Sequence, residues 1–379
     1  MPEEDPRILE LRARRETVRL AGGEDRIARQ HAKGKLTAHE RLELLVDPGT
    51  FNEIEPFITH QSPDLGEKFP GDGVVTGYGE VDGRTVFVYA QDFTVFGGAL
   101  GEMQSHKICR IMDMAVQNGA PIVGMIDSGG ARIQEGVKSL GGYAEIFRRN
   151  AQYSGLVPQI SLMLGPCAGG AAYSPAVTDV IIMVEKQSFM FLTGPEVIKT
   201  VTGEVIDFEG LGGADVHLSI SGTAHLTSPS EQDAITLCRQ VLSYLPGNNV
   251  DNPPFAETGD AIDRLDEALN HIVPIDPAVP YSMHEVIDTL VDAGTFLELQ
   301  SGFACNAVVG LARMGGYSIG IVAQEPSVMA GVIDIDAADK ISRFVRFCDC
   351  YNIPLVTLID SPGFLPGVEQ EHRGIIRHG

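Results

Sequence analysis

The chain has 379 residues, 44% of them hydrophobic and 21% charged, a composition that excludes disorder and fibrous repeats and predicts two or three globular domains. With 28 Lys and Arg against 51 Asp and Glu, the net charge of −23 repels phosphate backbones and anionic lipid, so nucleic acid is not an expected partner. Forty-three glycines without a collagen period point to tight turns and to places where backbone closes on a ligand.

The first residues, Met1 to Arg15, are charged and lack the apolar core of a secretory signal. The apolar run around Ile181 to Val184 is too short to span a bilayer, and a cytoplasmic location is expected. Six cysteines, Cys109, Cys167, Cys238, Cys305, Cys348 and Cys350, form no C-x-x-C pair and read as small buried hydrophobes. Walker A, G-x-S-x-G and H-E-x-x-H patterns do not occur, which sets aside the common nucleotide, serine-hydrolase and zinc-protease readings.

After a helical segment over 1–50, residues 51–250 read as a first α/β domain. A strand at Thr85 to Ala90 leads through a glycine turn to a helix at Gly101 to Gln117, with Ile108, Ile111, Met112 and Ala115 on one buried face. Buried strands follow at Pro121 to Ile126 and Gln159 to Leu164, which predicts parallel strand-helix-strand units with ligands at the carboxyl ends of the strands. Residues 251–290 read as a linker and the start of a second domain, whose remainder is 291–379.

That second domain repeats the first. Residues 76–130 laid on 309–363 give 15 identities in 55 without a gap, at a constant offset of 233. They include Gly98 with Gly331, Lys107 with Lys340, and Asp127-Ser128 with Asp360-Ser361. The copy ends at the equivalent of residue 146, before a third strand and its glycine loop, so the chain is expected to be the amino-terminal portion of a longer protein. The acids Asp334, Asp336 and Asp339 lack the turn glycine and distal Glu of a calcium loop and read as a solvated helix start; no metal is expected.

Three loops of the first copy carry the candidate chemistry. Ala168-Gly169-Gly170-Ala171, before Tyr173, opens a helix whose first N–H groups lack intrahelical partners and can hold an anion; equally, the glycines serve close helix packing. Phe96-Gly97-Gly98-Ala99 could add donors to an oxyanion hole for a thioester enolate. In the third loop, Gly129-Gly130-Ala131-Arg132, the arginine either meets an anionic ligand group or pairs with Glu135. His217 and His225 have no evident nucleophile beside them and read as structural.

These motifs resemble the carboxyltransferase (β) subunits of biotin-dependent acyl-CoA carboxylases, most closely the propionyl-CoA carboxylase type. The resemblance rests on Gln30 to Ala38, followed by His39 where the family usually has Arg, on Gln91 to Gly98, Asp127 to Gly136 and Gly165 to Ala176, and on Leu211 to Ala214 and Pro362 to Gly367. It implies a crotonase-like fold of ββα turns in each copy, the second incomplete here. It also implies transfer of CO2 from carboxybiotin, carried on a biotin carboxylase or carrier partner, to the α-carbon of a short acyl-CoA, with propionyl-CoA favoured. Gly169 and Gly170 would then be the oxyanion donors, Gly97 and Gly98 a neighbouring wall, and Gly129, Gly130, Ala131 and Arg132 the CoA side, with Ala168, Ala171 and Tyr173 also lining the substrate. The family implies a homo-oligomer, a hexamer for the full-length chain. Two alternatives stand beside this reading: the α subunit of a methylmalonyl-CoA decarboxylase, which would bring a membrane partner, or a transcarboxylase; and an inactive CoA-binding or assembly piece.

Overall fold

The computed structural model describes residues 5–276 and 278–379, and the chain divides into two compact units. The first comprises the residues up to Val216 together with Thr227–Arg239; the second comprises His217–Leu226 and Gln240–Gly379.

The first unit opens with helices α1 (Pro6–Leu20), α2 (Glu24–His31) and α3 (Ala38–Leu45). A capping box, in which the Thr37 hydroxyl accepts from the Glu40 N–H and the Glu40 carboxylate from the Thr37 N–H, starts α3. The strands are β1 (Asn52–Glu53), β2 (Val74–Val81), β3 (Arg84–Gln91), β4 (Ile122–Ser128), β5 (Gln159–Ala168), β6 (Val180–Val184), β7 (Phe189–Phe191) and β8 (Leu226–Ser228). They form one sheet in the order β1-β2-β3-β4-β5-β6-β8, with β7 pairing the far end of β5. From β3 to β6 the pairings are parallel, and β4 is buried along its whole length, as expected of a sheet covered on both faces. Between them lie α4 (Glu102–Asn118), α5 (Val137–Tyr153) and α6 (Gly170–Ala176). The expected face of α4 is buried: Ile108, Ile111, Met112 and Ala115 are at most 2% exposed.

The β2 and β3 strands form an antiparallel hairpin that the strand-helix-strand reading left out. Its turn is Asp82-Gly83, both residues at positive φ, the geometry that suits the right-handed twist of paired strands. Each copy is therefore a hairpin, a helix and a parallel strand, the ββα turn that the resemblance implied.

The second unit repeats that plan. Its sheet runs β12 (Leu355–Leu358), β11 (Tyr317–Gln324), β10 (Ala307–Met314), β9 (Leu297–Leu299), and the helix Ile335–Cys350 connects β11 to β12. β10 and β11 are β2 and β3 displaced by 233 residues, and the isolated bridge Leu100–Ala131 recurs as Ile333–Phe364. Residues 251–290, read as a linker and the start of the second domain, hold short helices at Leu269–Ile272 and Met283–Leu290. Met283, Ile287 and Val291 pack with Val308, Ala312, Ile319, Ile321 and Ala323 in this unit's core. Asp334 caps the Ile335–Cys350 helix by accepting from the Ala337 N–H, as a helix-start acid should.

The repeated lysine explains itself in both copies. Lys107 Nζ donates to the carbonyls of Gly71 (3.1 Å) and Val74 (2.6 Å), and Lys340 Nζ to those of Gln300, Phe303 and Ala307 (2.8–2.9 Å). Burial pushes each ammonium down to about 8. The lysine satisfies the carbonyls of the chain entering the hairpin, where buried backbone would otherwise lack partners. Four of the cysteines are buried as expected, but Cys305 and Cys350 are exposed.

Candidate active site

The loops that follow β3, β4 and β5 meet at the carboxyl edge of the first sheet. The first, Phe96-Gly97-Gly98, has three successive positive φ angles of 51, 62 and 65°. Gly98 is required there, because a Cβ would lie 2.0 Å from the Asp127 carbonyl oxygen. The second loop is stitched to the first: the Gly129 N–H donates to the Gly97 carbonyl, the Leu100 N–H to that of Gly130, and the Arg132 N–H to that of Leu100. Ser128 Oγ donates to the Gly98 carbonyl (2.7 Å) and accepts from the Gly130 N–H (3.2 Å). A Cβ on Gly130 would stand 2.9 Å from the Ala168 carbonyl oxygen, so the second loop also packs against the third.

This stitching separates committed donors from uncommitted ones. The N–H groups of Gly98, Gly129, Gly130, Arg132 and Gly169 are engaged, the last by the Phe191 carbonyl at 3.0 Å. Those of Gly97, Ala131, Gly170 and Ala171 have no acceptor among the described residues. Gly169 therefore contributes its φ of 57°, which turns β5 into α6, rather than its N–H. At Gly170, an added Cβ would meet the Tyr143 ring at 2.7 Å, so this glycine does serve close packing, the second of the two roles considered for it. Ala168 is partly exposed, Ala171 is buried, and Tyr173 projects from α6 with half its surface exposed.

Arg132 is not on a ligand surface. It is 1% exposed, with Nη1 at 2.8 Å from both Asp72 Oδ1 and Glu135 Oε1, and its guanidinium stacks over Phe96 at 4.8 Å. The pairing with Glu135 is what the fold uses, and the placement of Arg132 along a bound CoA is corrected accordingly: a buried guanidinium already held by two carboxylates has no donor face left for a ligand. Burial raises the Asp72 carboxyl even with Arg132 beside it. The two histidines lie in the second unit. His225 is buried and pushed down to about 3, hence neutral; His217 is half-buried, with Nδ1 at 2.8 Å from Ser221 Oγ.

Sequence reasoning missed the cavity beside these loops. About 630 Å³ in volume, it is lined by Arg26, Arg29, Lys33, Lys35 and Lys186, by Phe93, Phe96 and Gly97, and by Gln187, with no acidic residue in its wall among the described residues. Five cations around one cavity stand out in a chain of net charge −23. Their signal was in α2 and the turn after it, where Arg26, Arg29 and Lys33 follow one another closely, but only folding brings Lys186 to the same place. Arg29, Lys33 and Lys186 make no ion pair among the described residues, so their charge is available to an anion.

Beneath the cavity lies a buried ionic cluster. Arg41, fully buried, donates from Nε and Nη2 to Glu231 (2.8 Å each) and from Nη2 to Asp127 Oδ2 (3.0 Å); Lys35 Nζ reaches the same Asp127 oxygen at 2.6 Å. Gln187 Nε2 donates to Glu231 Oε1 (2.6 Å). Gly165 makes room for this cluster, since a Cβ there would fall 2.0 Å from Asp127 Oδ1. His39 is buried nearby, with Nε2 3.4 Å from Glu53 Oε2.

Comparison with known proteins agrees with these features. A family model described as the carboxyl transferase domain matches residues 29–379. The chain is 56% identical over 378 residues to the propionyl-CoA carboxylase carboxyltransferase subunit of Haloferax mediterranei, covering 99% of this chain and 73% of that one. It is 53% identical to the methylmalonyl-CoA decarboxylase subunit alpha of Veillonella parvula (96% and 72% covered) and 52% identical to the mitochondrial propionyl-CoA carboxylase beta chain of Homo sapiens (97% and 69%). Among solved structures, transcarboxylase 12S, a hexamer with methylmalonyl-coenzyme A and methylmalonic acid bound, superposes with a TM-score of 0.96 at 47% identity, covering all of this chain and 74% of that one. Its α/β architecture is crotonase-like, as the ββα repeat indicated. Loops, repeat and relatives agree that this chain belongs to the carboxyl transferase family of enzymes.

Proposed function

We propose that the chain is the carboxyltransferase component of a biotin-dependent acyl-CoA carboxylase, acting on a short acyl-CoA with propionyl-CoA favoured. The observation that carries this reading is the junction at Gly97, which lines the cationic cavity and also belongs to the glycine loops. A CoA thioester has the matching shape: a phosphate-rich nucleotide at one end and a thioester carbonyl at the other. Arg26, Arg29, Lys33, Lys35 and Lys186 would hold the phosphates. The uncommitted N–H groups of Ala131 and Gly170 would meet the thioester oxygen as it gains charge in the enolate.

Biotin, carried on a partner, would supply the carboxyl group and a basic ureido nitrogen for the α-proton. The loops suit that division of labour. They present backbone donors and small residues, so the chain's own part is to bind, to orient and to stabilise an oxyanion. The expected partner is a biotin carboxylase or biotin carrier subunit. A homo-oligomer is also expected, since the transcarboxylase 12S relative is a hexamer. The second reading, a methylmalonyl-CoA decarboxylase or transcarboxylase component, is favoured by the relatives of those kinds at 53% and 47% identity.

The test is transfer of labelled carboxyl from a carboxylated biotin carrier to propionyl-CoA, against acetyl-CoA and butyryl-CoA, with the product identified by mass. Methylmalonyl-CoA formed fastest supports the carboxylase reading. Absence of transfer together with CoA binding would leave the chain as a binding piece and overturn it.

A further inference from the structure

We infer that Lys35 is a positioning residue that couples the cationic cavity to the glycine loops. The inference rests on the CoA reading of that cavity. Lys35 is only 8% exposed, yet it contributes to the cavity wall, lying over the Phe93 ring at 4.9 Å. Its Nζ is also 2.6 Å from Asp127 Oδ2, which makes it, among the described residues, the one cavity cation joined to the strand end that carries the second loop. The Asp127 carbonyl is the surface against which Gly98 closes, and the next residue, Ser128, holds the Gly98 carbonyl and the Gly130 N–H through its hydroxyl. One ammonium therefore stands between a ligand phosphate and the residue from which both loops are hung.

The remaining contacts of Asp127 sharpen the case. Both Lys35 and Arg41 reach Oδ2, while Oδ1 is buried with no protein partner. Arg41 divides its charge between Asp127 and Glu231, to which it makes two further hydrogen bonds, so it compensates Asp127 only in part once the lysine is lost. Removing Lys35 leaves a buried carboxylate half compensated, and the strand end is expected to shift or to draw in water. Lys33 lines the same cavity but is exposed and unpaired, so its removal subtracts charge and nothing else.

The experiment compares Lys35→Met, Lys35→Gln, Lys35→Arg and Lys33→Met in the assembled enzyme. Its readouts are kcat and KM for the acyl-CoA, the Kd for CoA by calorimetry, and hydrogen exchange of peptides covering 128–136. Lys33→Met should raise KM and Kd by roughly two- to fivefold, as for an exposed charge, with a change in kcat no larger than that. Lys35→Met should raise them similarly and also lower kcat by about tenfold or more, because misplacing a donor is costly. Exchange in 128–136 should speed up most in Lys35→Met, to an intermediate degree in Lys35→Gln and not in Lys33→Met, and Lys35→Arg should restore kcat. A Lys35→Met enzyme that differs from wild type only in KM, with exchange unchanged, overturns the inference. If neither Lys33→Met nor Lys35→Met alters Kd for CoA, the cavity reading fails, and the kcat and exchange differences still decide the role of Lys35. Should Lys35→Met not fold, Lys35→Gln takes its place under the same criteria.

Discussion

Gly170→Ala separates packing from catalysis at one atom. The new Cβ would lie 2.7–2.8 Å from three ring carbons of Tyr143, whereas ordinary carbon contacts lie near 3.5 Å, so about 0.8 Å must be found. Tyr143 cannot readily give it: the ring is 6% exposed and is backed by Phe147 at 5.7 Å. The start of α6 must retreat instead, carrying the Gly170 and Ala171 N–H groups with it. Overpacking of this kind costs about 1–3 kcal/mol, which lowers Tm by roughly 2–4 °C for each kcal/mol in a unit of this size. A donor displaced by nearly 1 Å costs up to about 10²-fold in rate. Thermal melting and the labelled-transfer assay measure the two effects. Adding Tyr143→Leu removes the clashing ring, so the double variant should recover stability by about 0.5–3 kcal/mol of coupling and regain part of the rate. Wild-type Tm and rate in Gly170→Ala would refute the geometry. Lost stability with a wild-type rate would leave Gly170 as a packing residue and refute its N–H as an oxyanion donor.

Three further outcomes are expected. Arg132→Met strands Asp72 and Glu135 in the interior and should destabilise the first unit by about 3–5 kcal/mol, with part recovered by adding Asp72→Asn; a thermal shift worth under about 1 kcal/mol would count against the buried triad. In the second unit, the hydrogen bond to Glu298, aided by Glu325, holds the half-exposed His284 up to about 9. Its folded value lies above the unfolded one near 6.5, so the pair stabilises fully below that pH and the gain disappears as pH rises through about 9. The Tm advantage of wild type over His284→Asn, worth about 1 kcal/mol after solvent screening, should close between about pH 7 and 10; a gap independent of pH would contradict the pairing. Lys340→Met leaves two buried carbonyls and one partly buried carbonyl without their donor and should cost at least about 2 kcal/mol, read as faster exchange in β10; unchanged exchange there would show that water replaces the ammonium.

Periodicity made the frame legible. The α4 face, the parallel strands and the 233-residue offset all follow from local pattern; the structure keeps α4, β3 and β4 within a residue or two, while β5 runs four residues past the expected Leu164, to Ala168. The β2 strand was less visible because Thr76, Gly77 and Gly79 interrupt its apolar run, and those glycines are there for close packing: a Cβ on Gly77 would fall 2.3 Å from the Asn52 carbonyl oxygen. The glycine loops were found as motifs, but which N–H groups remain free depends on stitching between loops 30 and 70 residues apart, and no spacing rule encodes that. The cationic cavity was hidden for the same reason. Its charges come from α2, from the turn after it and from Lys186, and the overall excess of acid masks them.

The duplication itself sorts the loop residues by role. Positions that must hold the backbone crossing are the same in both copies: Gly98 and Gly331 close on the carbonyls of Asp127 and Asp360, Ser128 and Ser361 hold the turn, and Gly130 and Gly363 follow. The 96–98 turn keeps its three positive φ angles as Met329-Ala330-Gly331, although only the last glycine survives, so the geometry belongs to the fold and Gly97 is not what creates it. Where the copies differ, they differ in concert. Arg132, Asp72 and Glu135 become Leu365, Cys305 and Val368, a complete exchange of an ionic triad for apolar or neutral side chains. A ligand-binding arginine could be replaced by itself, whereas a buried arginine cannot leave without the carboxylates that neutralise it. The joint loss is thus an independent reason to place Arg132 in the frame. It leaves Gly97, Gly129 and Ala131, which become Ala330, Pro362 and Phe364, as loop positions that differ between the copies without a shared ionic partner to account for the change.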